Sequence, residues 1–268
     1  MPKTKINGVN INYQLDGNGE QTILILNGIM MSSNSWEDFV PVYTEKDFKL
    51  LRMDFRDQGA SDKYREEYDI EIHVADLKKL LDKLEIDKVH LVGVSYGAMV
   101  AMLFELKYPE MVDSLVLSNT EARVTDFLKS ISDVWEIAAA SNDGHKFFKL
   151  SMPYIYSDYF YNNNLDWLQE REEQLAQILD QDWFEALIRL SKSSKNFDIF
   201  DQISNITSPT LLIAADRDIL TPVKEMRKMQ EEIPESKMLI IKDAGHAAFY
   251  EKMTEFNSAV LGFIGLNC

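Results

Sequence analysis

The sequence predicts an α/β fold: a mostly parallel, doubly wound sheet with helices on both faces and a helical insertion. Three observations predict it. Short apolar, β-branched runs recur with helix-like segments between most of them, the alternation expected of a parallel sheet covered by helices. One run passes through Gly93-Val94-Ser95-Tyr96-Gly97 directly into a helix pattern. The alternation lapses between residues 121 and 206, where several helices follow one another without a convincing strand.

Taken in order, residues 6–15, with Asn7-Gly8 and Asp16-Gly17 as turn signals, read as an antiparallel edge hairpin. Strand-like runs follow at 23–26 and 50–53. Residues 70–84 carry Ile72, Leu77, Leu80, Leu81 and Leu84 at helical spacing. The run 89–94 has the composition of a buried parallel strand, and the helix 96–107 ends at Tyr108-Pro109. Further strands are expected at 115–117, 210–214 and 238–241, with a helix at 223–233 behind Thr221-Pro222. This divides the chain into a core domain, 1–120 with 207–268, and a helical lid, 121–206. The insertion holds an aromatic cluster at Tyr154, Tyr156, Tyr159, Phe160, Tyr161 and Trp167, and a second group at Trp183, Phe184, Phe197 and Phe200. Such residues either pack the insertion onto the core or line an apolar substrate pocket. Tyr154, Tyr156 and Trp167 are the candidates for the second role.

A length of 268 residues suits one α/β domain or a core domain carrying a large insertion. The formal net charge of −16 argues against nucleic acid or an anionic membrane as a partner, because both are bound through clustered Lys and Arg. Cys268 is the only cysteine, so no intramolecular disulfide or cysteine-based zinc site is expected, and a reducing compartment is the natural setting. The first ten residues lack the apolar stretch of a signal peptide, and no run reaches membrane-spanning length. The expectation is a cytoplasmic protein, and with no metal-ligand spacing or phosphate-binding glycine loop in the sequence, no cofactor or metal is expected.

A bare Gly-x-Ser-x-Gly arises by chance about once in ten chains of this length, at roughly 7% each for Gly and Ser. Its context gives it weight. A serine at a sharp strand-to-helix turn is lifted out of its surroundings, and the helix N-terminus behind it favours developing negative charge. Ser95 then needs a base, and the base needs an orienting acid. Of four histidines, His73 opens a helix, His90 begins the strand before the turn, and His145 lies in a hydrophilic turn. His246 follows a strand in the loop Lys242-Asp243-Ala244-Gly245-His246, on the carboxyl edge that Ser95 also occupies. Two carboxylates, Asp216 and Asp218, follow the preceding strand on the same edge.

Gly93 to Gly97, Asp218 with Pro222, and Gly245-His246 resemble the three catalytic blocks of the α/β-hydrolase superfamily, in the order Ser, Asp, His. The resemblance implies Asp218 as the acid, with Ala215 where similar members usually have glycine; Asp216 stays open as the alternative. Asn27-Gly28-Ile29 stands where similar enzymes have His-Gly-x. By that mapping the backbone N–H groups of Ile29 and Tyr96 form the oxyanion hole. Asp54-Phe55-Arg56-Asp57-Gln58-Gly59-Ala60-Ser61-Asp62 is similar to the family's DxRGxGxSD loop, with a structural role and Arg56 available to pair with a carboxylate.

The resemblance implies a serine hydrolase of ester, thioester or lactone substrates, most like small-molecule esterases and enol-lactonases. Dehalogenases and epoxide hydrolases of the superfamily place an aspartate where this chain has Ser95. Carbon–carbon bond hydrolases acting on ring-cleavage products usually carry a tryptophan after the histidine, where this chain has Ala247. Acyltransferases on the same triad, and small-molecule receptors that retain it, are the other readings.

Overall fold

The computed structural model describes residues 3–267, so Met1, Pro2 and Cys268 lie outside it. Strand β1 (Lys3–Ile6) turns back into β2 (Val9–Asp16) through Asn7 and Gly8, whose φ values of 44° and 91° are those a tight two-residue turn requires. There follow β3 (Thr22–Leu26), α1 (Val40–Thr44), β4 (Lys49–Met53), α2 (Glu71–Lys83), β5 (Val89–Val94), α3 (Tyr96–Lys107) and β6 (Val112–Ser118). Five helices come next: α4 (Asp126–Ala140), α5 (Gly144–Ile155), α6 (Asp158–Asn163), α7 (Leu165–Ile178) and α8 (Gln181–Ser194). The chain closes with β7 (Thr210–Ala215), α9 (Val223–Glu232), β8 (Lys237–Ile241), α10 (Ala248–Glu251) and α11 (Met253–Ile264).

The described strands form one sheet in the order β1-β2-β4-β3-β5-β6-β7-β8. The hairpin pairs antiparallel with itself and with β4, and β4 through β8 run parallel. Side chains alternate across the strands, which explains why the central runs are apolar throughout: both faces are covered. Leu24, Leu51, Leu91, Leu115 and Leu212 meet α2, α3 and α9 on one face. Ile23, Ile25, Val92, Val116 and Ile213 meet α1 and α11 on the other. Each fully buried side chain of this size contributes about 1.5–3 kcal/mol.

Helices α4 to α8 leave and rejoin the core at a narrow stem. Val124 N donates to Phe197 O at 2.9 Å, Ile199 N to Ala122 O at 2.8 Å, and Arg123 pairs with Asp198 at 2.6 Å. Thr125, Asp143, Ser157 and Asp180 accept backbone N–H groups at the starts of α4, α5, α6 and α8, each cap contributing about 1 kcal/mol. Beyond the stem, Ile203 and Ile206 return to the main core beneath the sheet. Among the described residues no helix is long and apolar enough to cross a membrane.

Candidate functional site

Ser95 occupies the turn between β5 and α3 at φ 53° and ψ −117°, a conformation that costs a non-glycine residue about 1–3 kcal/mol. The surroundings offset that cost. Its N–H donates to Ser118 O at 2.9 Å, and its carbonyl accepts from Ala98 N, Met99 N and the Thr120 hydroxyl. Gly97 is required because a Cβ there would lie 2.3 Å from the carbonyl oxygen of Leu26. That close approach seats the first turn of α3 against the end of β3.

His246, on the loop after β8, reaches Ser95 Oγ with Nε2 at 2.8 Å and Asp218 Oδ2 with Nδ1 at 2.8 Å. An ionised carboxylate only accepts, so Nδ1 carries the proton and Nε2 is left to accept from the serine hydroxyl. Asp218 also accepts from Leu220 N, Thr221 N, Thr221 Oγ1 and Asn119 Nδ2. Burial alone would raise its pKa, but the charge and hydrogen bond of His246, with Thr221 and Asn119, bring it down to about 2. Asp216 is exposed and accepts from Asp243 N, tying the β7 and β8 loops together. The hydrogen bond to His246 therefore comes to Asp218.

The other histidines are elsewhere. His90 bonds Ser114 at the far end of β5, and His145 pairs with Glu172 on the surface. His73 is wholly buried among Phe55, Tyr68 and Tyr96, with neither ring nitrogen hydrogen-bonded among the described residues.

Tyr96 follows Ser95 as the first residue of α3, and Ile29 lies on the loop after β3, the strand that pairs with β5. The loop carrying Ile29 is fastened from below. Gln58 Nε2 donates to Gly28 O at 2.9 Å and Ile29 O at 3.3 Å, while Asn27 Nδ2 donates to Met53 O and Gln58 Oε1. Asn27 Oδ1 accepts from Trp36 Nε1. The asparagine that departs from the family's histidine is thus a buried brace between β3, β4 and Trp36. Arg56, from the adjacent loop, makes a buried two-pronged pair with Asp76 of α2.

Tyr154 packs with Ile131, Trp135 and Leu220, beside Asp218 in sequence. Tyr156 stacks on Phe160 at 4.9 Å and meets Trp167 edge-on at 5.9 Å, and Trp167 lies 5.3 Å from Tyr250 of α10. These rings fasten α5, α6 and α7 to α10. Ile29 and Met30, from the core loop, both touch the apolar clusters formed with α4, α5 and α8. A small cleft next to Ile29 is lined by Trp183, Leu187 and Leu190 of α8, with Asp57 and Gln58.

Several residues of this site carried no mark in the sequence. Asn119 and Thr120 end β6 on the same sheet edge as Ser95, Asp218 and His246, so the edge rule would have reached them. Asn119 takes a left-handed φ of 48°, a conformation asparagine tolerates. Two buried polar atoms in this region, Trp135 Nε1 and Glu121 Oε2, have no hydrogen-bond partner among the described residues.

A family model described as the alpha/beta hydrolase fold matches residues 21–253. The crystal structure of MGS-M2, an alpha/beta hydrolase enzyme from a Medee basin deep-sea metagenome library, superimposes with a TM-score of 0.95 at 38% identity, covering 98% of this chain and 97% of that one. The Pseudomonas syringae protein named "Putative carbamate hydrolase RutD" is 25% identical over 91% of this chain and 93% of its own length. The Escherichia coli 2-hydroxy-6-oxononadienedioate/2-hydroxy-6-oxononatrienedioate hydrolase is 26% identical over 95% of this chain and 90% of its own. With the parallel sheet and the strand-turn-helix around Ser95, these likenesses make the chain a member of the α/β-hydrolase family and an enzyme of that fold.

Proposed function

We propose that the chain is a serine hydrolase that cleaves a small-molecule ester, thioester or lactone through an acyl-enzyme on Ser95. The observation that carries this reading is the unbroken line of hydrogen bonds from Ser95 Oγ through His246 to Asp218. Ser95 Oγ attacks the substrate carbonyl as His246 Nε2 takes its proton, and Asp218 steadies the imidazolium. The N–H groups of Ile29 and Tyr96 face the oxyanion. His246 returns the proton to the leaving group, and water then releases the acid by the same steps in reverse order. Helices α4 to α8 act as a lid over Ser95, with the cleft at Trp183, Leu187 and Leu190 as one wall and Tyr154 near the acid loop. Tyr156 and Trp167, the other two expected pocket residues, pack with Phe160 and Tyr250, which supports a role in holding the lid to α10.

A fluorophosphonate probe and a short-chain p-nitrophenyl ester test the reading. Wild-type protein is expected to be labelled at Ser95 and to turn the ester over. Ser95→Ala abolishes labelling, and Ser95→Ala or His246→Ala lowers kcat about 10⁴-fold or more with little change in Tm. Asp218→Asn behaves likewise and Asp216→Asn does not; the reverse pattern moves the acid to Asp216. Folded wild-type protein that is neither labelled nor active sinks the proposal. The name of the Escherichia coli relative supports a second reading, carbon–carbon bond hydrolysis on the same three residues. Turnover of 2-hydroxy-6-oxononadienedioate without ester cleavage selects it.

A further inference from the structure

The stretch after β3 packs against the turn around Ser95 on both sides of the serine. A Cβ on Gly28 would lie 3.7 Å from the carbonyl oxygen of Val94, the residue before Ser95, and a Cβ on Gly97 would lie 2.7 Å from that of Asn27. The next peptide joins the Gly28 carbonyl to the Ile29 N–H. A peptide unit is planar and trans, so whatever holds the carbonyl sets the direction of the N–H at the opposite edge. Gln58, on the loop after β4, holds that carbonyl at 2.9 Å, and Met31 N shares it at 3.1 Å. The Ile29 N–H donates to no group among the described residues.

The Gln58 amide is fully occupied. Nε2 donates to Gly28 O and, at 3.3 Å, to Ile29 O, while Oε1 accepts from Asn27 Nδ2 at 3.2 Å and Phe55 N at 3.4 Å. Reversing the amide would set oxygen against two carbonyls, so the four partners fix its orientation. Gln58, Asn27 and Trp36 are all buried, where linked hydrogen bonds polarise one another.

We propose that Gln58 is a positioning residue that acts through the Gly28–Ile29 peptide, aiming its N–H at the oxyanion formed at Ser95 and strengthening it as a donor. The proposal rests on the reading of the Ile29 N–H as one of the two oxyanion donors. Drawing electron density toward Gly28 O leaves the N–H at the other end of the same peptide more positive. The gain is largest when the substrate oxygen carries full negative charge, so Gln58 favours the transition state over the bound ester.

The test compares full-length wild type with Gln58→Leu, which keeps the bulk and removes the donors. The probes are a p-nitrophenyl ester and an alkyl trifluoromethyl ketone, whose adduct with Ser95 carries an oxyanion. In Gln58→Leu kcat is expected to fall about 10- to 100-fold with KM within about threefold, and ketone affinity to fall by the same factor as kcat/KM. The remaining bond from Met31 N keeps the loss below that of a deleted donor. Unchanged kcat and ketone affinity in the folded variant overturn the proposal. So does a rise in KM alone, which would make Gln58 a wall of the cleft that it lines. Wild type that neither cleaves the ester nor binds the ketone removes the hydrolase reading, and the proposal falls with it. A measurement on wild type alone decides the matter if the variant does not fold. The Gln58 side-chain amide signals are expected to move downfield in NMR as the ketone adduct forms, and signals unmoved by the adduct overturn the proposal.

Discussion

Asp218 and Glu121 are both buried carboxyl groups, and at Asp218 the charge of His246 and several hydrogen-bond donors outweigh the burial that prevails at Glu121. Asp218 has five hydrogen bonds, counting His246, and is held ionised down to about pH 2. Glu121 accepts from Thr125 N, and burial pushes its carboxyl up to about 7. His73 shows the same logic for a base. Burial first, and the Arg56 charge second, depress its pKa to about 3, so the folded state binds it neutral while the unfolded chain protonates it from about 6.5. A depressed folded pKa gives stability that is present above the unfolded value and lost as pH falls. The loss runs from about 6.5 toward 3 and reaches roughly 2 kcal/mol at pH 5. His73→Phe is expected to remove that dependence: the drop in Tm between pH 7 and pH 5 shrinks relative to wild type, and an equal drop in both rules it out. The grouping of Ser95, His246 and Asp218 was legible in the sequence because each stands on a loop after a strand, which brings all three to one edge of the sheet. The burial of Glu121 was not, since a lone glutamate after a strand reads as solvated surface.

The turn around Ser95 is an element with little room. A methyl group at position 97 meets the carbonyls of Leu26 and Asn27, both backbone atoms that cannot swing aside. Gly97→Ala is therefore expected to cost about 1–3 kcal/mol or more in urea unfolding and to reduce fluorophosphonate labelling, because relief of the clash pushes α3 away from the loop of Ile29. Full labelling at unchanged stability counts against this account. Most elements could be read from apolar periodicity, including β5, α3 and the edge hairpin. The strand expected at 115–117 is longer, Val112–Ser118, because neighbouring β5 and β7 supply partners to residues whose own chemistry does not demand a strand. Strand order was beyond local pattern altogether: β2 pairs with β4 and leaves β3 to pair between β4 and β5. That choice depends on how connections pass over the sheet.

At the scale of the whole molecule, the core and helices α4 to α8 are joined by polar ties as well as apolar contacts. Arg189 of α8 pairs through two bonds with Asp57, which is fully buried and also accepts from Tyr68 Oη and Tyr64 N. Removing one member leaves the other's charge buried, so Arg189→Met is expected to cost about 3 kcal/mol. Hydrogen exchange should quicken in α8 but not in β5, and the double variant with Asp57→Asn should recover part of the loss. Unaltered exchange in α8 would show that the apolar contacts hold it alone. A second tie runs to the loop of His246. Glu251 accepts from Gly245 N at 3.1 Å, Ser157 N at 2.9 Å and Ser157 Oγ, while Ala247 N donates to Ile155 O at 3.1 Å. Gly245 passes so close to this segment that a Cβ would fall 2.5 Å from Ser157 N. The stretch from α5 to α6 is consequently not an exchangeable cassette. A graft from another member of the family preserves the seat of His246 only if it offers a carbonyl in place of Ile155 and paired N–H and hydroxyl donors in place of Ser157. Exchange of this stretch is constrained at the Ile155 carbonyl and at Ser157, whatever substrate the grafted helices recognise.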